Sequence, residues 1–290
     1  MTCSEATGNE LPELSDSRYA VVERIGEGVA ATVWRAVDRV SSETVALKLL
    51  KAESMRLEDV QRLALEVGIL DDLDHPCIVK LRGTGVAREG NPYVAMEWVD
   101  GVTLRDRMVA SAPLDAEDVA DIVGQVGSAL TEAHAHDVVH RDVKPENIML
   151  CAPEHLAVKV LDFGMSKVLA EHAPALTAEG HIFGTPEYMA PERARGQDVS
   201  AATDVYALAV MAHEMLAGQR PFSARNPIQI MMQHIRATPP PVAGVAAEVN
   251  EALLEGMAKE PRRRPGALQF AQRLARSEEH TSELQSLLII

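Results

Sequence analysis

The chain has 290 residues, 47% of them hydrophobic and 24% charged, enough to bury a sizeable core in one large or two smaller domains. A formal charge of -15 and an isoelectric point near 5.1 argue against a nucleic-acid or anionic-membrane binder, since either needs an excess of Lys and Arg to displace counterions. Cys3, Cys77 and Cys151 are too dispersed for a CxxC zinc site or a disulfide framework, and no apolar run reaches membrane-spanning length, so a reducing, cytoplasmic setting is expected.

Residues 1–17 carry Ser, Glu, Thr, Gly and Pro without periodicity and are expected to form a flexible leader. Three strand-like runs follow, YAVVERIGEG, TVWRAVDR and ETVALKLL, separated by turn residues in the manner of an antiparallel meander. From Leu57 to Leu73, Leu63, Val67, Leu70 and Leu73 recur at helical spacing and share their face with Glu66. A carboxylate there needs a cation, and Lys48, on the same side of its strand as Ala46, is the candidate partner.

Further strand signals follow HPCIVKL, and YVAMEWVDG marks a change of composition. From Ala116 the stripe Val119, Val123, Val126, Leu130 and Ala133 predicts an amphipathic helix that leads into HRDVKPENIML. NIML and VKVLDFG read as two short strands, and a loop punctuated by Gly and Pro runs on to Ala190. TDVYALAVMAHEML is apolar nearly throughout and predicts a buried helix, and Pro239–Pro241 break the pattern beyond it. The expectation is an α+β, bilobal fold: a small antiparallel β-rich lobe with one key helix, then a larger, mainly helical lobe.

Two short motifs are weak alone. In IGEGVAATV, Gly26 and Gly28 let backbone amides approach phosphates, but a bare hairpin turn has the same composition, and Ala31 stands where a third glycine would be. In HRDVKPEN, Asp142, Lys144 and Asn147 are the residue types needed to handle a hydroxyl proton, a phosphate and a metal ion.

Taken together, G-x-G, VALK, the helix glutamate, HRDVKPEN, DFG and APE stand in the order and spacing of the eukaryotic-like serine/threonine protein kinases of bacteria. The chain resembles that family from Tyr19 to Ala275. The resemblance implies a kinase domain over residues 18–275, with an N-lobe at 18–96, a hinge at 97–101 and a C-lobe at 102–275. It implies that Asp142 orients the substrate hydroxyl and accepts its proton, that Lys144 offsets phosphoryl charge, and that the Lys48–Glu66 pair holds the α- and β-phosphates of ATP. Asn147 and Asp162 would hold Mg²⁺, with Mn²⁺ as an alternative. Ile25, Gly26, Glu27, Gly28, Val33, Ala46, Lys48, Met96, Glu97, Val99 and Met149 would contact ATP, and Thr185 would position the acceptor. His140 is read as a packed structural residue. Glu192 with Arg264, and Asp204 with the catalytic-loop backbone, would be structural ties. Arg141 and Lys167 would receive a phosphate on Thr177, while Glu179 and His181 occupy two other common phosphosite positions.

The activity so implied is transfer of the γ-phosphoryl of Mg-ATP to Ser or Thr hydroxyls of proteins, including autophosphorylation within a transient or N-lobe-mediated homodimer. A pseudokinase scaffold would keep this fold without Lys48, Asp142 or Asp162, and all three are present. A small-molecule phosphotransferase would lack GTPEYMAPE. Residues Arg276 to Ser286, RSEEHTSELQS, resemble a translated sequencing-library adapter, so 276–290 is expected to be a non-native tail. Relatives often continue into a membrane anchor and sensor, which this sequence leaves open.

Overall fold

A computed structural model of the chain describes residues 11–28, 31–51, 73–88, 90–151, 156–163 and 185–276. It divides into two compact units, residues 1–72 with 79–98, and residues 73–78 with 99–290. The expected helix over 57–73, Glu66 included, lies outside the described residues up to its last position, Leu73, as do Lys167, Thr177, Glu179, His181 and the tail from 277.

The first unit is built on a five-stranded antiparallel sheet of order β1-β2-β3-β5-β4. Its strands are β1 Tyr19–Glu27, β2 Ala31–Asp38, β3 Thr44–Leu50, β4 Leu81–Val86 and β5 Pro92–Glu97. The three N-terminal runs form the predicted meander because alternate residues of β2 and β3 are apolar and face one core. That core gathers Tyr19, Trp34, Ala36, Val45, Leu47, Tyr93 and Ala95. Lys48 stands opposite Val33 on one side and Val94 on the other, and Ala46 opposite Arg35 and Met96. Two residues apart on one strand, Ala46 and Lys48 share a face.

The leader expectation needs correction over its second half. Ser15 N–H donates to the Val86 carbonyl at 3.1 Å, Arg88 N–H donates to Glu13 O at 2.7 Å, and Leu14 bridges Ala87. The Tyr93 hydroxyl also donates to Asp16. β4 is an edge strand with unpaired backbone groups, and this extended segment supplies partners at its end.

In the second unit β6 Gly101–Thr103, β7 Ile148–Cys151 and β8 Val158–Val160 form a small antiparallel sheet in that order. Its helices are α1 Leu104–Ser111, α2 Ala116–Ala135, α3 Pro191–Ala194, α4 Ala201–Ala217, α5 Pro227–Arg236, α6 Ala247–Gly256 and α7 over residues 267–276. The predicted stripe of α2 is buried, from Val119 through Val123, Val126 and Leu130 to Ala133. α4 is buried on nearly every side from Thr203 to Leu216. A capping box between Ser200 and Thr203 starts it, and Gly218 stops it at a φ of 68° that disfavours any residue with a Cβ. A Cβ at Gly256 would meet Ala209 Cβ at 2.6 Å and the Phe270 ring at 2.9 Å, so α6 reaches α4 and α7 only because it lacks one.

The expected lobe boundaries shift as well. Residues 73–78 belong to the second unit because His75 Nε2 lies 3.0 Å from Ser128 Oγ, Ile78 bridges Val160, and Val160 N–H donates to Cys77 O at 2.7 Å. The first unit ends at Trp98, inside the span read as hinge. Among the described residues no helix is long and apolar enough to cross a membrane.

Candidate active site

The polar loop between α2 and β7 is held from below by α4. Asp204, 1% exposed, accepts the backbone N–H of His140 through Oδ2 and that of Arg141 through Oδ1, each at 2.8 Å, and His134 Nε2 lies 2.8 Å from the same Oδ2. These bonds secure Arg141 in the left-handed region at φ 69°, where a residue with a Cβ is strained by about 1–3 kcal/mol. The His140 ring is fully buried. It accepts from Asp142 N–H at Nδ1, 3.3 Å, and faces the Leu161 carbonyl with Nε2 at 2.8 Å, so one tautomer, protonated at Nε2, satisfies both. Phe163 lies 4.7 Å, ring to ring, from His140. These contacts fit a packed structural histidine rather than a base.

This support presents Asp142 and Lys144 to each other. Lys144 Nζ lies 2.6 Å from Asp142 Oδ2 and donates to Thr185 Oγ1 at 3.0 Å. The Asp142 side chain is 22% exposed. Burial pushes its pKa up, but the charge and hydrogen bond of Lys144, with the charge of Arg193, outweigh burial and hold it below the ordinary aspartate value. The group is therefore a carboxylate at neutral pH, able to accept a proton, with an ammonium and a hydroxyl beside it.

Asn147 closes the loop. Its Nδ2 donates to the Asp142 carbonyl at 2.7 Å and to Asp142 Oδ2 at 3.2 Å, which orients the amide and leaves Oδ1 as an acceptor. Leu161 N–H donates to Asn147 O at 2.8 Å, so the chain leaving β8 is tied to Asn147 one residue before Asp162, which itself has a φ of 61°. One carboxylate and one amide oxygen are the hard donors that suit Mg²⁺, which keeps much of its remaining shell for water and phosphate. Among the described residues there is no group of three or more His, Cys, Asp or Glu side chains that would form an all-protein metal cage.

Two charge clusters, one fully and one partly buried, frame the 185–192 segment. Arg264 pairs with Glu192 through Nη1 at 2.7 Å and Nη2 at 2.8 Å, with side chains 0% and 3% exposed. Thr203 Oγ1 donates to the same glutamate at 2.9 Å. Burial would raise the Glu192 pKa, and the Arg264 hydrogen bond and charge bring it below the ordinary value.

The second cluster escaped the sequence reading. Arg105 on α1 donates to Glu146 at 2.9 Å, to Glu214 at 3.0 Å and to the Tyr188 hydroxyl, which itself donates to Glu214. These residues are separated by up to 109 positions, and no local pattern pairs them. The one available signal was Glu214, a carboxylate inside a helix of mostly apolar residues.

The other candidates fall in both units. Ile25, Gly26 and Glu27 lie on β1, Gly28 N–H donates to Ala31 O at 2.8 Å, and Val33, Ala46, Lys48, Met96 and Glu97 are on β2, β3 and β5. Val99 and Met149 belong to the second unit, Met149 opposite Thr103 in the small sheet. Arg141 is described, whereas its expected companions Lys167 and Thr177 are not.

A two-unit fold in which an Asp-Lys-Asn loop is mounted on a buried helix is that of a phosphotransferase of the protein kinase type, and comparison with known proteins agrees. The protein kinase domain family matches residues 19–274. The serine/threonine-protein kinase PknB of Mycolicibacterium smegmatis is 37% identical over 258 residues, covering 86% of this chain and 41% of that protein. The serine/threonine-protein kinase pkn3 of Myxococcus xanthus is 36% identical over 261 residues, 86% of this chain and 48% of its own. Among solved structures, the PknI kinase domain of Mycobacterium tuberculosis superposes with a TM-score of 0.71 at 26% identity, covering 92% of this chain and 99% of that one. Rad53 in complex with AMP-PNP, an ATP analogue, gives 0.73 at 27%, covering 88% and 64%.

The chain belongs to the protein kinase domain family. It spans about two fifths of the length of PknB.

Proposed function

We propose that the chain is the catalytic domain of a serine/threonine protein kinase, residues 18–275, which transfers the γ-phosphoryl of ATP to Ser or Thr hydroxyls of proteins. The observation that carries this reading is Lys144, whose ammonium lies between the Asp142 carboxylate and the Thr185 hydroxyl. Asp142 takes the proton of the acceptor hydroxyl as its oxygen bonds to the γ-phosphorus. The bond from that phosphorus to the β–γ bridging oxygen breaks, and ADP leaves. Lys144 offsets charge on the moving phosphoryl group, and Thr185 fixes Lys144 and the acceptor's neighbourhood.

Lys48 holds the α- and β-phosphates with Glu66 as its partner, Gly26 and Gly28 offer amides, and Ile25, Glu27, Val33, Ala46, Met96, Glu97, Val99 and Met149 receive the rest of the nucleotide. Asn147 and Asp162 hold Mg²⁺, or Mn²⁺ in its place, which neutralises phosphate charge when bound. Turnover is expected at about 1 to 100 per second in the activated state. Phosphorylation of Thr177 by a second copy of the chain, read by Arg141 and Lys167, is the proposed switch, and the cytoplasm, where ATP is supplied, is the proposed setting.

Incubation with γ-labelled ATP, Mg²⁺ and a Ser/Thr protein substrate tests the assignment. Label is expected with the wild type and not with Asp142→Asn at matched nucleotide binding. Equal labelling by both would overturn it.

A further inference from the structure

Arg193 sits on the short helix α3, one residue past Glu192, and is half-buried. Among the described residues no carboxylate lies within ion-pair distance of it. Among the described residues its hydrogen bond runs from Nη1 to the backbone carbonyl of Arg141. Burial pushes its pKa down, with Asp142 and Asp204 opposing from a distance and the like charge of Arg141 adding to the fall. Burying a guanidinium costs free energy, which its hydrogen bond to the Arg141 carbonyl offsets only in part.

The carbonyl it holds belongs to the planar peptide joining Arg141 to Asp142. The N–H of that same peptide donates to His140 Nδ1 at 3.3 Å. The preceding peptide is held by its own N–H, that of Arg141, on Asp204 Oδ1 at 2.8 Å. The left-handed residue at φ 69° thus lies between two fastened peptide planes, and among the described residues Arg193 supplies the carbonyl-side fastening of the plane that carries Asp142. Given the kinase reading above, on which this rests, we propose that Arg193 is a positioning residue for phosphoryl transfer: by gripping the Arg141 carbonyl it sets the direction in which Asp142 meets the acceptor hydroxyl.

The test compares wild type, Arg193→Met and Arg193→Lys for kcat and for KM toward Mg-ATP and a peptide substrate. Each kcat is normalised to the fraction of protein that binds Mg-ATP, so that partial unfolding does not imitate the effect. Arg193→Met is expected to lower kcat about ten- to a hundredfold, the range for a catalytic group displaced by a fraction of an ångström to an ångström, with both KM values within about twofold. Arg193→Lys, which keeps a single donor of similar reach, is expected to restore most of the loss. Should Arg193→Met leave no binding fraction, Arg193→Gln is read in the same way. An unchanged kcat in the binding fraction, a change confined to KM, or a loss seen only in phosphorylated protein would overturn the proposal, the last pointing to an anion contact instead. An inactive wild type, or label equal in wild type and Asp142→Asn, would instead remove the kinase reading itself.

Discussion

The Asp204 carboxylate, buried in α4, holds the backbone N–H of Arg141 at 2.8 Å, one position before the candidate base. Its other oxygen holds His140 N–H and faces His134. Asp204→Ala removes these charge-assisted bonds together and is expected to destabilise the second unit by about 3 kcal/mol or more. Activity in the remaining folded protein should fall too, because Arg141 loses the bond that offsets its left-handed strain. Urea unfolding alongside kcat measures both. A variant of wild-type stability and rate would show the anchor to be dispensable.

Thr185 and Lys144 give a sharper prediction about substrate handling. Thr185→Val keeps the shape and removes the acceptor for Lys144 Nζ, so kcat/KM for a peptide should fall about tenfold while ATP binding is retained, and Thr185→Ser should stay near wild type. Steady-state kinetics with peptide and ATP varied separately reads the difference.

Breaking the Glu192–Arg264 pair on one side leaves a buried charge without its counter-ion. Arg264→Met is expected to destabilise by about 3–5 kcal/mol, and the double variant with Glu192→Met should be more stable than Arg264→Met alone. The folded Glu192 pKa is depressed below its ordinary 4.5. Its contribution is therefore complete above about that pH and is lost as pH falls through the lower folded value. Unfolding curves from pH 7 to pH 3 for wild type and Glu192→Gln follow this loss.

His234 titrates in the opposite chemical sense within the same acid range. It is fully buried, with Tyr206 OH 2.9 Å from Nδ1 and Glu187 O 3.0 Å from Nε2. Burial, with help from the charge of Lys259, pushes its pKa down to about 3. The unfolded chain takes up this proton near pH 6.5, whereas the folded one resists it. Stability is then unaffected above 6.5 and falls as pH drops from there toward about 3. His234→Gln should flatten that slope relative to wild type in unfolding measured at pH 7, 6, 5 and 4.

The local parts of this molecule were legible in its sequence, because they follow from patterns that span a few residues. The meander of β1 to β3, the buried stripe of α2 and the nearly apolar α4 are set by alternation, by helical spacing and by the lack of it. Asp142, Lys144 and Asn147 could be singled out because six positions of one loop hold all three. What stayed hidden depends on chain segments that meet only after folding. Arg105 finds Tyr188 and Glu214, Arg193 finds the Arg141 carbonyl, and residues 13–16 find the end of β4, each through side chains or backbone groups with no periodic signature. The division near Trp98 was visible as a change of composition. The transfer of residues 73–78 to the second unit was not, since it rests on Ser128 and Val160 far along the chain.

α4 is enclosed from Thr203 to Leu216, and this enclosure sets a timescale. Amide hydrogens in the middle of such a helix trade with deuterium only when the whole unit opens, so their exchange should be among the slowest in the protein. Because Asp204 rides on that helix, its bonds to the backbone of His140 and Arg141 are expected to last as long as the helix stays closed.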